Sequence, residues 1–166
     1  MLTAPIERQE LPDGTLKITR RVPKLVRVFG WTIEILSILF AVLAVLTGAH
    51  GEAPLLLALA ASLVVAGMGE FCRTGVSELR VEPARRRIVG RVRTRFGTVP
   101  MSEKSVVLAT GTRLTVTRKI VNGHEFFYLM GREPGQRRSV PLFSHPEAEG
   151  VEQVMAWVNE RLPVPA

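Results

Sequence analysis

The sequence predicts a membrane α+β protein: a two-helix transmembrane hairpin followed by a small β-barrel or sandwich domain with a C-terminal amphipathic helix. Three observations carry this. Residues 28–48 and 53–68 are two apolar runs separated by a minimal turn. After Gly75 the continuous apolar pattern gives way to short alternating segments, the mark of half-buried strands. Near the C-terminus, Val151, Val154, Met155, Val158 and Leu162 recur at helical spacing. The 166 residues thus divide into a cytoplasmic N-terminal arm, 1–27, a transmembrane hairpin, 28–71, a cytoplasmic domain, 76–162, and a tail, 163–166.

The first run is about twenty residues long, and at about 1.5 Å per residue it spans a hydrocarbon core of roughly 30 Å. The second, from Pro54 to Met68 or Phe71, is shorter but carries no charge before Glu70. A cleavable signal peptide fits the first run less well, because the preceding arm is long and a second apolar run follows at once. Orientation follows from the flanks. Lys17, Arg20, Arg21, Lys24 and Arg27 precede the first helix, and Arg73, Arg80 and Arg85 to Arg87 follow the second. The turn around His50, Gly51 and Glu52 has neither Lys nor Arg, which predicts both termini in the cytoplasm.

Glu34 is the one ionisable residue well inside the first run, and a carboxylate there costs several kcal/mol unless it is protonated, paired or interfacial. It is expected near the cytoplasmic headgroups, reaching toward Arg27, Trp31 or water; the sharper alternative is a proton or substrate site in an oligomeric transporter component. On the second run, Ala58, Ser62 and Ala66 recur every four residues, a small-residue stripe suited to close helix packing. Its expected occupant is the first helix, with a second subunit or another membrane protein as the alternative.

In the arm, Pro12-Asp13-Gly14 is a turn sequence between two extended stretches, predicting a β-hairpin or a strand lent to the domain. An isolated ribbon is marginal in water, so such a hairpin must lean on other structure. Within the domain, strands are expected at 77–82, 87–96, 104–108, 113–121, 124–130 and 136–143, and a helix at 146–162 capped by Ser144 or His145. Asn122-Gly123 predicts a two-residue type I′ hairpin pairing Val121 with His124, Lys119 with Phe126, Arg118 with Phe127 and Val116 with Leu129. Leu114, Val116, Phe127 and Leu129 then form the core face. Phe126, Tyr128 and Met130 fall on the other face, where barrel curvature is the expected means of burial.

Strands followed by one amphipathic helix, with Glu78-Leu79-Arg80-Val81-Glu82 after the membrane, Val140-Pro141-Leu142-Phe143 as closing strand and Val154-Met155-Ala156-Trp157-Val158 in the helix, resemble the pleckstrin-homology-like (PH-like) fold. The whole chain resembles small bacterial membrane proteins in which a two-helix hairpin precedes such a domain. The resemblance implies residence in the cytoplasmic (inner) membrane and speaks to architecture rather than activity.

The formal charge of +7 favours anionic partners, and beside an apolar hairpin the bilayer accounts for it most simply. Arg91, Arg93 and Arg95 alternate along one strand, with Arg85, Arg86 and Arg87 in the adjoining turn, a stripe suited to anionic lipid or an acidic partner. No recognition helix or stacking aromatic motif accompanies it, so nucleic acid is not the expected partner. There is no phosphate-binding Gly-rich loop, His-Glu-x-x-His helix or nucleophile elbow, so no catalytic residue is assigned. His50, His124 and His145 read as turn and cap residues, and the single Cys72 as a small interfacial one; neither a metal nor a cofactor is expected. The sequence thus points to a non-enzymatic membrane-anchored interaction or assembly module whose partners are the bilayer and a membrane protein or second copy. Anionic-lipid sensing is the alternative.

Overall fold

The computed structural model describes residues 5–47, 51–121 and 123–161. It has two long apolar helices and two antiparallel sheets, an α+β layout that separates into two compact units: a helical pair within 22–75, and a sheet unit formed by 5–21 together with 76 onward.

In the helical pair, α1 (Lys24–Leu46) and α2 (Glu52–Thr74) have 23 residues each and are long and apolar enough to cross a membrane. The positions buried on α1 are Gly30, Ser37 and Ala44, spaced by seven; those on α2 are Ser62, Gly69 and Glu70. A seven-residue repeat keeps one narrow line of each helix facing its partner. Because the line is built of small residues, the backbones come into direct contact. A Cβ placed on Gly30 would lie 2.6 Å from the Gly69 carbonyl oxygen, and one on Gly69 would lie 2.9 Å from that of Gly30. The Ser37 hydroxyl donates to the Ser62 carbonyl at 2.5 Å, and the Ser62 hydroxyl to that of Ala58. Ala58 and Ala66 are half-buried on the same side. The end of the first predicted span at Gly48, and His50 in the turn, lie outside the described residues.

The sheet unit begins in the arm. Strands β1 (Ile6–Glu10) and β2 (Leu16–Arg21) form an antiparallel hairpin. Gly14 sits at φ +78° in its turn, and the Asp13 carboxylate accepts bonds from the Thr15 amide and hydroxyl, both at 3.0 Å. The hairpin leans on β3 (Val76–Glu82), to which β2 pairs from Leu16↔Val81 to Arg21↔Val76. This pairing puts Leu16 and Ile18 wholly inside the core. A 3-10 turn, Pro83–Arg85, leads to β4 (Arg87–Thr94), which pairs with β3, with the short β5 (Gly97–Thr98) and with β6 (Lys104–Val107).

The second sheet comprises β7 (Arg113–Val121), β8 (His124–Arg132) and β9 (Val140–His145). The β7–β8 register is the one the turn sequence predicts, including Val121↔His124 and Val116↔Leu129; Asn122 itself lies outside the described residues. Helix α3 (Ala148–Asn159) closes the unit. Val151, Val154 and Val158 are fully buried, in one core with Ile18, Leu79, Ile88, Val106, Leu129 and Phe143. The two sheets approach where β4 crosses β9. A Cβ on Gly90 would collide with the Leu142 backbone, so only glycine fits there.

Several boundaries differ from the sequence expectation. The 87–96 strand ends at Thr94, because Gly97 at φ +125° reverses the chain and folds β5 onto Arg93 and Thr94; Arg95 falls in the turn. The last strand begins at Val140 rather than Gln136. Glu133-Pro134-Gly135-Gln136 is instead a turn closed by a 3.2 Å amide bond, with Gly135 at φ +79°. Helix α3 starts at Ala148, and neither Ser144 nor His145 occupies its N-cap, which is Glu147. The buried His145 ring still serves the helix entrance, its Nδ1 accepting the Glu147 amide at 3.1 Å. Leu162 and the tail lie outside the described residues. Phe126, Tyr128 and Met130 are half-buried, with a bulge between Leu129 and Met130 where β9 pairs.

Candidate functional site

Two charged clusters stand out, one in each unit. In the helical pair, Glu34 does not reach back to Arg27. Its carboxylate accepts from Arg73 Nε at 3.2 Å, across the seam on α2. The same guanidinium bonds Glu70 and lies over the Trp31 ring, 4.5 Å from its centroid. The Glu70 carboxylate also takes the Thr74 hydroxyl at 2.9 Å. Their positions follow from the seam, since the Gly30–Gly69 contact sets Glu34 against the backbone of α2 near Gly69, one helical turn from Arg73. Two carboxylates share one arginine, and a cation between two anions keeps all three charged groups partnered away from water. The sequence directs Glu34 toward Arg27, Trp31 or water, and Arg73 takes that place instead. The missing signal is the pairing of the two helices, which lays Gly30 opposite Gly69 and Ser37 opposite Ser62 and so brings Glu70 and Arg73 to Glu34.

In the sheet unit the centre is Glu78, only 2 % exposed on its side chain. Arg91 Nη2 donates to it at 2.7 Å, Arg93 Nη1 lies 3.5 Å away, and Arg80 Nε bonds it as well. Cross-strand pairing of Glu78 with Arg91 and of Val76 with Arg93 aligns these groups on one face of β3 and β4. Burial works against the Glu78 charge, but the bonds and charges of Arg91 and Arg80 outweigh it and hold the carboxyl below its usual range.

The arginine stripe is accordingly divided in its contacts. Arg91 and Arg93 turn toward Glu78; Arg87 bonds Glu82 at 2.7 Å, with Arg85 3.8 Å from the same carboxylate. Arg85 and Arg86 are exposed in the 3-10 turn, and Arg95 stacks over the exposed Phe96. The outward-facing basic groups therefore sit in the turns at either end of β4. Among the described residues, no three of His, Cys, Asp and Glu are grouped to hold a metal ion.

No protein-family model matches this chain, and no curated protein matches it either.

Two outcomes follow. Arg73→Gln leaves two carboxylates facing each other in the helical pair and should lower the melting temperature of the detergent-solubilised chain more than Glu34→Gln, which leaves Arg73 neutralised by Glu70. Equal effects would mean that the arginine is not the hub. Because the folded-state pKa of Glu78 is lowered, its contribution to stability is complete above the usual glutamate range, about 4.3, and is lost as pH falls through the folded value. Thermal melts from pH 7 to pH 3 should show Glu78→Gln destabilising at pH 7 and converging on the wild type in acid. A constant difference across that range would mean that the charge of Glu78 contributes nothing.

Proposed function

We infer that this chain is a membrane-anchored interaction and assembly module. Helices α1 and α2 lie across a bilayer with both chain ends on the cytoplasmic side, and the PH-like sheet unit is presented there to a protein partner. The observation that carries this reading is how little of the two helices is covered. Burial is confined to the seam, Gly30, Ser37 and Ala44 on α1 and Ser62, Gly69 and Glu70 on α2, while large apolar side chains around the rest of both helices stay open, Leu46 at 78 %, Leu63 at 75 % and Leu57 at 74 % exposed. Water does not tolerate two such helices side by side, whereas lipid tails or neighbouring membrane helices do.

Charge supports the orientation. Basic residues gather at the end where α1 begins and α2 finishes, with Lys24, Arg27 and Arg73, whereas Glu52 opens α2 at the other end. The ion-pair arrangement around Arg73 belongs to packing: both carboxylates are engaged by the arginine, which suits a fixed joint rather than a proton relay. Contact with a protein partner is favoured over lipid sensing by the arginine stripe, because Arg91 and Arg93 are directed to Glu78.

Alkaline carbonate should leave the full-length chain in the membrane pellet, mild detergent should release it, and sizing of that extract should find it in a complex larger than the monomer with a co-purifying membrane protein or a second copy. Release by carbonate would remove the anchor, and a strictly monomeric, partner-free extract would remove the assembly role.

A further inference from the structure

The end of the helical pair that holds Arg73 also contains an open recess of about 440 Å³, lined by Lys24, Arg27, Val28, Trp31, Arg73 and Thr74. Three cations and a threonine hydroxyl share it with two apolar side chains, Trp31 and Val28, which are 53 % and 66 % exposed. The cations are not equivalent. Arg73 is committed to Glu34 and Glu70, so the carboxylates of this cluster are directed to it. Arg27 Nε is buried yet has no hydrogen-bond acceptor among the described residues. A buried N–H on a permanent cation calls for an anionic oxygen to receive it.

The start of α1 adds to the same demand. Its N-cap is Pro23, which provides no side-chain acceptor, and its first turn contains no acidic residue. The first amides of the helix, with the positive end of its dipole, thus lack the carboxylate or hydroxyl that commonly receives them. An oxyanion in the recess would sit beside Lys24, the Arg27 guanidinium and these amides.

We propose that this recess binds the phosphate of an anionic lipid headgroup, with Arg27 and Lys24 as its cationic ligands and Trp31 and Val28 against the glycerol and upper acyl segment. Phosphate chemistry is shared by lipids and by free phosphate; the apolar half of the lining favours the lipid, since a free anion has no use for it. The site is distinct from the arginines of the sheet unit. It rests on the bilayer reading of α1 and α2, because only there does the end of the pair meet headgroups.

The test uses the full-length chain purified in detergent and titrated, by native mass spectrometry, with phosphatidylglycerol, with zwitterionic phosphatidylcholine and with inorganic phosphate. Phosphatidylglycerol should bind selectively, and K24Q/R27Q should weaken it about 25-fold, from about 5-fold for each well-placed cation. R85Q/R86Q, which removes the same charge from an exposed turn, should leave binding unchanged. If K24Q/R27Q does not elute as a folded species, K24Q alone is read for its 5-fold share. Three results would overturn the proposal: binding insensitive to K24Q/R27Q, an equal loss in R85Q/R86Q, or inorganic phosphate binding at Lys24 and Arg27 without phosphatidylglycerol binding. A chain that resists carbonate extraction but gives any of these results refutes the headgroup site and leaves the anchor standing. Release of the wild type by carbonate refutes the anchor first.

Discussion

Backbone contact between α1 and α2 at Gly30 and Gly69 is the constraint on which the helical pair depends. With no room for a Cβ on either glycine, the helices approach until the Ser37 hydroxyl meets the Ser62 carbonyl. Close backbone packing and a polar bond across the seam hold this contact. The same approach brings Glu34 to Arg73 and gives its carboxylate a partner. Among the described residues, Arg73 is engaged by two glutamates while the buried Nε of Arg27 has no acceptor.

The sheet unit relies on a comparable close approach at Gly90, where β4 crosses the β9 backbone at Leu142. That crossing joins the two sheets around a core to which the arm contributes Leu16 and Ile18. The arm is also tied to the end of α3: Arg8 bonds Glu160 at 3.0 Å and lies over Trp157, and Arg161 pairs with Glu10. Pro5 to Arg21 is therefore an integral part of the sheet unit, although two helices separate it from β3 in sequence. The chain leaves this sheet after β2, runs through α1 and α2, and returns to it as β3.

Much of this was legible because it depends on local pattern. The length and composition of the apolar runs gave two helices, Asn122-Gly123 gave the β7–β8 register, and the spacing of Val151, Val154 and Val158 gave the buried face of α3. What escaped depends on pairing between distant segments. Nothing near Glu34 announces Arg73, 39 positions on, and the alternation of Arg91 and Arg93 reads as a stripe for anionic lipid or an acidic partner until Glu78 is laid beside it by strand pairing. Positive-φ glycines displaced the strand ends: Gly97 and Gly135 redirect the chain inside stretches whose alternation looked continuous. The recess at Arg27 was hidden for a related reason, since its lining comes from the beginning of one helix and the end of the other.

The central claim is that α1 and α2 pack on each other within one chain along the Gly30–Ser37–Ser62–Gly69 seam while lying in a membrane. The most direct measurement is oxidative cross-linking of S37C/S62C in a C72S background, carried out in native membranes. The account predicts an intramolecular disulfide in chains of monomer mobility, and none in S37C/L63C, whose second position is 75 % exposed on α2. Cross-linking of S37C/S62C only between chains, or equal cross-linking at Leu63, would contradict it.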